Sequence, residues 1–333
     1  MAETVHIAAM ATKISNQIFS MFMWQKRGPT DHNWDCVKKG EHGKETHPTD
    51  VVFFYDEPYR DVRTYVQTDL KSYKTGSIVR SKLEAAIRSL AEQISCAEVS
   101  AEYQKDYTHA HRTSEIVGML FVYNHDVGYD RDFSDELKRL KLDGLDIPRN
   151  RRIFVLGPME IRWLHNVSHD MQWLRGSSED DKLPSAEHCT YFYPQGDRGI
   201  QVLGSKKCAA ILEVLTGPWI IIRYRNEEMR QNGYIIYYRD DEASVDDFLY
   251  FIDYMRRYGM LADHDKIRIR YIENGSATSS TFQSAQQQYA ELVAKSLTDP
   301  DSLAAAVRRI VIEPVNSIAV KFVDEQIGME YAR

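Results

Sequence analysis

The sequence predicts an α/β protein with two domains. Apolar runs rich in β-branched and aromatic residues, which favour strands, alternate along the chain with stretches whose apolar residues recur at helical spacing. The chain has 333 residues, which is more than one small core needs and suits two domains of ordinary size. Apolar residues make up 43% of the chain and charged residues 27%, so we expect most of it to fold.

The N-terminal part is predicted as a helix, two strands, a helix and a further strand. Apolar residues at helical spacing indicate the first helix at 12–24, and the polar, glycine-punctuated stretch at 25–49 indicates a loop that could include one hairpin arm. The other elements are strands at 50–55 and 62–73, the clearest helix of the chain at 78–95, and a continuous apolar strand at 114–126.

The composition changes between residues 130 and 151, which are dense in charge and contain Gly144 and Pro148. We therefore predict domains at 1–130 and 131–333, although the same stretch could be a helix packed on the first domain. The second domain is again α/β. Its predicted strands lie at 151–157, 218–225, 233–239, 266–272 and 317–323, and its predicted helices at 158–175, 244–258, 281–297 and 300–313, with an exposed loop at 176–186.

The charge of the chain is unevenly distributed. The formal net charge of −7 argues against a generally basic surface, so contact with nucleic acid requires a local basic patch. Residues 60–90 contain seven Lys or Arg and three acidic residues, a local excess of +4. This excess is what phosphate contact needs, and Lys74, Arg80 and Lys82 are its candidate substrate-binding residues.

Cys36, Cys96, Cys189 and Cys208 are far apart and form no Cys-x-x-Cys pair, which fits neither a disulfide framework nor a zinc knuckle. We predict free thiols. The N-terminus lacks a basic start followed by a sustained apolar core, and the aliphatic runs are too short for a bilayer. The expected location is the reducing cytoplasm, with no membrane contact.

A carboxylate, one spacer and an ammonium stand at the end of the strand at 62–73. Because side chains alternate along a strand, Asp69 and Lys71 share a face. Asp50 begins the preceding strand, so if the two strands are neighbours its carboxylate lies beside Asp69. Two close carboxylates repel unless a cation lies between them.

A hard divalent cation fits this group. Mg²⁺ prefers oxygen ligands and commonly takes one or two protein carboxylates, here Asp50 and Asp69, to which the carbonyl of Leu70 could be added. The Lys71 ammonium would then position water or offset charge on an attacked phosphate. This is the chemistry of phosphodiester hydrolysis.

The segments "PTD" at 48–50 and "TDLK" at 68–71 resemble the PD-(D/E)xK nuclease superfamily, which includes many restriction endonucleases. The resemblance covers roughly residues 10–125. It implies a restriction-endonuclease-like core of helix, mixed sheet and helix, in which Asp50 and Asp69 bind the metal and Lys71 is catalytic. It also implies that the helix after Lys71 faces the DNA backbone.

The chain departs from the family pattern on its first helix. Many members place a glutamate there as a further metal ligand, whereas the matching positions offer Asn16 or Gln17, and Gln17 is the candidate ligand. An amide oxygen brings no charge, so one metal ion is expected, unless Glu41 or Glu45 supplies a carboxylate from the loop.

Three functions remain open from the sequence. The first is a Mg²⁺-dependent DNA endonuclease, in which Mn²⁺ can replace Mg²⁺, that acts in restriction-type or antiphage defence. We expect it to act as a homodimer or with a partner subunit, and we expect its C-terminal domain to serve DNA recognition or assembly. The second is a catalytically inactive DNA-binding or assembly subunit of a defence or repair complex. The third is a structural acid-x-Lys pair, since such triplets also occur at 136–138 and 180–182. No P-loop and no Gly-x-Ser-x-Gly motif is present.

Overall fold

The computed structural model describes residues 2–110, 113–177, 182–194, 207–226, 231–240, 242–261, 265–272, 278–294 and 300–315. The chain divides into two compact units between His165 and Asn166. Within the described residues, no helix combines the length and the apolar character that a bilayer span requires.

The first unit is built on a mixed sheet. Its strand order is β1-β4-β5-β6-β7, in which β1, β4 and β5 pair antiparallel and β5, β6 and β7 pair parallel. A separate hairpin pairs β2 with β3. The strands are β1 (Gln25–Arg27), β2 (His32–Asp35), β3 (Thr46–Thr49), β4 (Val51–Asp56), β5 (Arg63–Tyr73), β6 (Ser114–Asn124) and β7 (Ile153–Leu156). The helices are α1 (Ala2–Met21), α2 (Lys39–His42), α3 (Arg80–Ala97), α4 (Ala101–Tyr107) and α5 (Phe133–Lys138).

Different helices cover the two faces of this sheet. On one face Phe19 of α1 contacts Phe53 and Phe121, with ring centroids 5.0 and 6.1 Å apart. On the other face the apolar stripe of α3 packs against β5 and β6, and fully burying each Leu or Ile contributes about 1.5–3 kcal/mol. Because strand side chains alternate, the residues of β5 that point toward α3 are Tyr65, Gln67, Asp69, Lys71 and Tyr73.

The turn that connects β5 to α3 is held by Asp126. Its carboxylate accepts hydrogen bonds from the Thr75 backbone N–H at 3.0 Å, the Thr75 hydroxyl at 2.7 Å and the Asn124 amide at 2.6 Å. Although burial opposes the shift, these hydrogen bonds lower the pKa of Asp126 to about 2. The start of α3 is thereby fixed relative to the end of β5.

The second unit contains another mixed sheet, with the order β12-β11-β10-β9-β8. Its main core packs α8 and α9 against this sheet around Phe248, Phe251 and Phe282. The helix α6 (Pro158–Gly176) begins in the first unit and ends in the second. The strands are β8 (Cys189–Tyr191), β9 (Trp219–Asn226), β10 (Gln231–Tyr238), β11 (Lys266–Ile272) and β12 (Val311–Val315), and the helices are α7 (Leu212–Leu215), α8 (Val245–Arg257), α9 (Thr278–Ala294) and α10 (Pro300–Arg308).

The predicted fold class is confirmed, since both units combine a mixed sheet with flanking helices. The predicted division at residue 130 differs from the observed one because β7 pairs with β6 and belongs to the first sheet. The helix predicted at 300–313 ends at Arg308, and residues 311–315 pair with β11 as a strand, where Pro314 would interrupt a helix. The strand predicted at 317–323 lies outside the described residues.

Candidate active site

The site lies where β4 begins and β5 continues beyond it. Asp50 stands between β3 and β4, and the antiparallel register pairs Val51 with Thr68. One step further along this register, Asp50 comes opposite Asp69. The strands at 50–55 and 62–73 are therefore neighbours, as the sequence predicted, and their two aspartates are brought together.

Short polar contacts organise the group. The backbone N–H of Leu70 donates a hydrogen bond to Asp50 Oδ2 at 2.6 Å. Lys71 Nζ lies 2.5 Å from Asp69 Oδ1, and the side chains are 34% and 8% exposed, respectively. The acid is thus almost enclosed, whereas about a third of the lysine side chain is open to solvent.

Burial and like charge act together on Asp50. Burial of the carboxylate, followed by repulsion from Asp69, raises the pKa of Asp50 to about 6, although the Leu70 N–H and Lys71 favour the charged form. Burial alone would lower the pKa of Lys71, but the attraction of Asp69 and Asp50 raises it, so Lys71 is charged at neutral pH. A cation between the two carboxylates would relieve their repulsion, and two carboxylates are a donor set that suits a hard divalent ion.

A buried polar network underlies the acids and was not predicted from the sequence. The Gln67 amide donates to Thr49 Oγ1 at 3.0 Å and to Gln93 Oε1 at 2.9 Å, and Gln67 Oε1 accepts from the Tyr103 hydroxyl at 2.9 Å. Trp34 Nε1 also donates to Thr49 Oγ1, at 2.9 Å. The network ties Thr49, the neighbour of Asp50, to α3 and α4. The sequence feature that could have indicated this network is a glutamine, Gln67, two residues before Asp69 on an apolar strand.

Asp31 is a further acid near the site that sequence reasoning missed. Its backbone N–H donates to the Asp50 carbonyl at 3.0 Å, and its negative charge contributes to the raised pKa of Asp50. Asp31 has φ 50, a left-handed conformation that aspartate adopts more readily than most residues. The turn before β2 thereby brings a third aspartate toward the same end of the sheet.

The predicted substrate-binding residues follow the site along β5 and into α3. Lys74, Arg80 and Lys82 are exposed. The Lys82 ammonium lies 5.3 Å from the ring centroid of Tyr73, which shares its face of β5 with Lys71. Arg80 Nε lies 3.6 Å from Glu136 Oε2, so part of its charge is offset. Positive side chains therefore continue from the site onto the first turn of α3.

Gln17 is not brought into this group. Its helix, α1, covers the face of the sheet opposite to the side chains of Asp69 and Lys71, because Phe19 packs on Phe53 and Phe121. Gln17 is exposed, and no hydrogen bond joins its side chain to the residues that the structure describes. Glu45 pairs instead with Lys39 at 2.7 Å. The geometry leaves Asp50 and Asp69 as the two carboxylates that lie opposite each other at the start of β4 and on β5.

Two arginines of the second sheet also have partners. Arg268 and Arg270 are buried and form ion pairs with Glu313 at 2.7 Å, and Arg270 additionally pairs with buried Asp170. Arginines that are buried and paired hold β11, β12 and α6 together and are not available to a phosphate.

The chain was compared with known protein families and known proteins. The family described as "GAPS4 protein PD-(D/E)XK nuclease domain" matches residues 1–160. No curated protein and no solved structure matches the chain significantly. The matched region contains the whole mixed sheet of the first unit, with Asp50, Asp69 and Lys71. The resemblance drawn from "PTD" and "TDLK" is thereby confirmed: residues 1–160 of this chain match a PD-(D/E)XK nuclease domain.

Proposed function

We propose that this protein is a Mg²⁺-dependent DNA endonuclease, in which Mn²⁺ can replace Mg²⁺. The observation that carries the proposal is the group at the start of β4 and near the end of β5: two adjacent carboxylates, Asp50 and Asp69, with the Lys71 ammonium 2.5 Å from Asp69. The match of residues 1–160 to a nuclease domain supports the same reaction class.

Asp50 and Asp69 would hold the divalent cation, with the carbonyl of Leu70 as a candidate third ligand. When bound, such an ion withdraws charge from a phosphate and lowers the pKa of water. The Leu70 N–H orients Asp50, and the network through Gln67 and Thr49 keeps the neighbouring backbone in place. Preorganisation of this kind reduces the cost of reorganising the site during the reaction.

Lys71 would act on the attacked phosphate. Its ammonium stays charged because Asp69 and Asp50 raise its pKa, so it can stabilise developing negative charge or orient water by donating hydrogen bonds. The partial exposure of Lys71 leaves it accessible from solvent. Lys74, Arg80 and Lys82 would contact flanking phosphates, as the local charge excess of +4 indicates.

Restriction-type or antiphage defence is the proposed role, which rests on the resemblance to restriction-type enzymes and on the family description. Cutting both strands of a duplex usually requires two copies of the site, so we infer a homodimer or a hetero-oligomer with a partner subunit. The region after the nuclease domain would serve DNA recognition or assembly.

The test is cleavage of supercoiled and linear DNA by the purified protein with Mg²⁺, Mn²⁺ or chelator. We expect cutting that requires the metal ion and falls at least about 100-fold in Asp69→Ala and Lys71→Ala, because each removes a charge used in the transition state. Asp135→Ala and Lys138→Ala are matched controls, since these residues form an exposed acid–lysine pair at 2.9 Å and should retain full activity.

Each outcome discriminates between functions. Metal-dependent cutting that survives in Lys71→Ala would remove Lys71 from the reaction. Absence of cutting by the wild type, alone and with the product of the neighbouring gene, combined with DNA affinity that chelator does not change, would favour the catalytically inactive DNA-binding subunit. Absence of both cutting and DNA retention would leave Asp69 and Lys71 as a structural pair.

A further inference from the structure

A second group of metal-ligating side chains lies away from the acidic site. Cys36, His42, His47 and Cys96 each offer one ligand atom, and these atoms all lie within 4.8 Å of one another. Cys36 directly follows β2, His42 ends α2, His47 lies in β3 and Cys96 lies near the end of α3. Three elements of the polar N-terminal stretch thus converge on one helix.

The distances among Cys36, His42 and Cys96 match three corners of a tetrahedral site. The two sulfur atoms are 3.7 Å apart, and His42 Nδ1 lies 3.4 Å from Cys36 Sγ and 3.5 Å from Cys96 Sγ. Zinc bound tetrahedrally at the usual Zn–S and Zn–N lengths holds its ligand atoms about 3.7 Å apart for two sulfurs and about 3.5 Å apart for sulfur and nitrogen. These three side chains are already spaced for an ion between them, and a ring nitrogen of His47 lies within 4.8 Å of each of their ligand atoms.

His47 provides independent evidence that this group binds an ion. The residue is fully buried, and neither of its ring nitrogens makes a hydrogen bond to any described residue. Burying an imidazole without partners costs free energy, and buried polar groups in folded proteins are normally satisfied. Coordination of a metal ion by one nitrogen would account for a histidine in this position.

The surroundings of the group are those of a bound metal. His42 uses Nδ1 toward the sulfurs, and its Nε2 donates to Asp146 Oδ2 at 3.0 Å, the carboxylate–histidine arrangement that orients a metal ligand. The Lys38 ammonium pairs with Asp146 at 2.9 Å and offsets its charge.

We propose that Cys36, His42, His47 and Cys96 bind a structural Zn²⁺ ion. Two thiolates and two imidazoles favour zinc over the hard cations, and four protein ligands leave no open position for catalysis. The ion would fasten α2 and the β2–β3 hairpin to the end of α3. Since Asp50 lies three residues after His47, the same ion would also limit the movement of β3 next to the acidic site.

The first measurement is the zinc content of the purified, untagged full-length protein by inductively coupled plasma mass spectrometry. We expect about one zinc per chain in the wild type, a fall of at least 10-fold in Cys96→Ser, and no change in Cys189→Ser. Cys189 is a matched control because it is also a buried free cysteine but lies in β8 of the second unit. X-ray absorption should show two sulfur and two nitrogen neighbours.

Cys96→Ser could lose zinc because it fails to fold, so a second variant that keeps all four ligands is also needed. Asp146→Asn should weaken zinc binding by about 10–100-fold in competition with a chromogenic chelator, because it removes the carboxylate that holds His42. Asp143→Asn, an exposed neighbour, should bind as the wild type does.

Several results would overturn the proposal, and none depends on nuclease activity. Wild-type protein that holds less than about a tenth of an equivalent and takes up no added zinc would exclude the site. Zinc retained in full by Cys96→Ser would place the ion elsewhere. A disulfide between Cys36 and Cys96, detected by mass spectrometry of unreduced peptides, would assign the pair to redox chemistry instead.

Discussion

Asp50 carries a conflict between stability and function, because its carboxylate is desolvated beside Asp69. Its pKa in the folded protein, about 6, lies above the ordinary value of 3.8, so the folded state binds a proton more tightly than the unfolded chain. The favourable contribution is complete below about pH 4 and is lost as the pH rises through 6. Without metal, Asp50 therefore destabilises the fold at neutral pH.

Removing that charge should stabilise the metal-free protein. In chelator at pH 7.5 we expect Asp50→Asn to raise the free energy of unfolding by about 1–3 kcal/mol, since two pKa units correspond to at most about 3 kcal/mol. At pH 4 the difference should be close to zero. Thermal melts of both proteins at the two pH values measure it, with Asp61→Asn, an exposed acid, as control. A lower melting temperature for Asp50→Asn at pH 7.5 contradicts this account.

In the second unit, Asp170 is the buried partner of Arg270. The two side chains are 3% and 5% exposed, and the Tyr237 hydroxyl also donates to Asp170 at 2.9 Å. Asp170→Ala leaves the Arg270 charge buried without this partner, so we expect a loss of about 3–5 kcal/mol in the free energy of unfolding. Denaturant titration checks this, and Glu291→Ala, an exposed acid on α9, should change stability by less than about 0.5 kcal/mol.

At the scale of elements, α3 is the helix on which the first unit depends. Its apolar stripe packs on β5 and β6, Gln93 joins the network beneath Asp50, and Lys82 lies at its exposed start. Gly118 of β6 permits this close packing, because a Cβ at this position would lie 2.5 Å from Ile94 Cδ1 and 3.1 Å from Leu90 Cγ. The distance between helix and sheet is thus set by the absence of one methyl group.

Gly118→Ala should therefore push α3 away from the sheet. We expect a cost of about 1–3 kcal/mol from overpacking, measured by denaturant titration. Gly76→Ala is the matched control, since a Cβ there meets nothing within 4 Å. If the clash with Ile94 causes the loss in the free energy of unfolding, Gly118→Ala should cost less in a protein that already carries Ile94→Ala. Equal costs in both backgrounds would exclude this explanation.

At the scale of the whole molecule, a net charge of −7 coexists with the basic stretch at 60–90. The acidic remainder of the chain repels DNA, so binding must be local and should weaken with salt as counterions are released. The nuclease-domain match ends at residue 160, which leaves the second unit without an assigned activity. A recognition or assembly role there stays a proposal.

The salt dependence of DNA binding tests where the phosphates lie. With Ca²⁺ in place of Mg²⁺, we expect neutralising Lys74, Arg80 and Lys82 together to reduce the slope of log affinity against log salt by up to about 2.7, at about 0.9 for each lost phosphate contact. The control is a variant in which Lys138, Arg139 and Lys141 are neutralised together. It removes the same total charge from an exposed segment in which basic residues are interspersed with acidic ones. Equal slope changes in both triples would argue against a footprint at the start of α3.

Long elements with a clear pattern were predictable and short ones were not. The strand at 62–73 and the helix at 78–95 were predicted within two residues of β5 and α3, because periodic apolar positions extend over their whole length. The two strands of the β2–β3 hairpin were not predicted individually, since "HNWD" and "THPT" are short and mostly polar. What holds the hairpin is burial of Trp34 and His47, which are distant in sequence from their partners in α3 and α4.

By itself, the sequence determined the α/β class, the strands that carry Asp50 and Asp69, and the placement of Asp69 and Lys71 on one face, because alternation and apolar runs are local properties of the chain. Only the tertiary structure decided that Gln17 stands apart from these acids, that the first unit extends through β7, and that Cys96 joins Cys36, His42 and His47. The physical reason is separation along the chain: residues 36 and 96 meet through helix-to-hairpin packing, which no local pattern records.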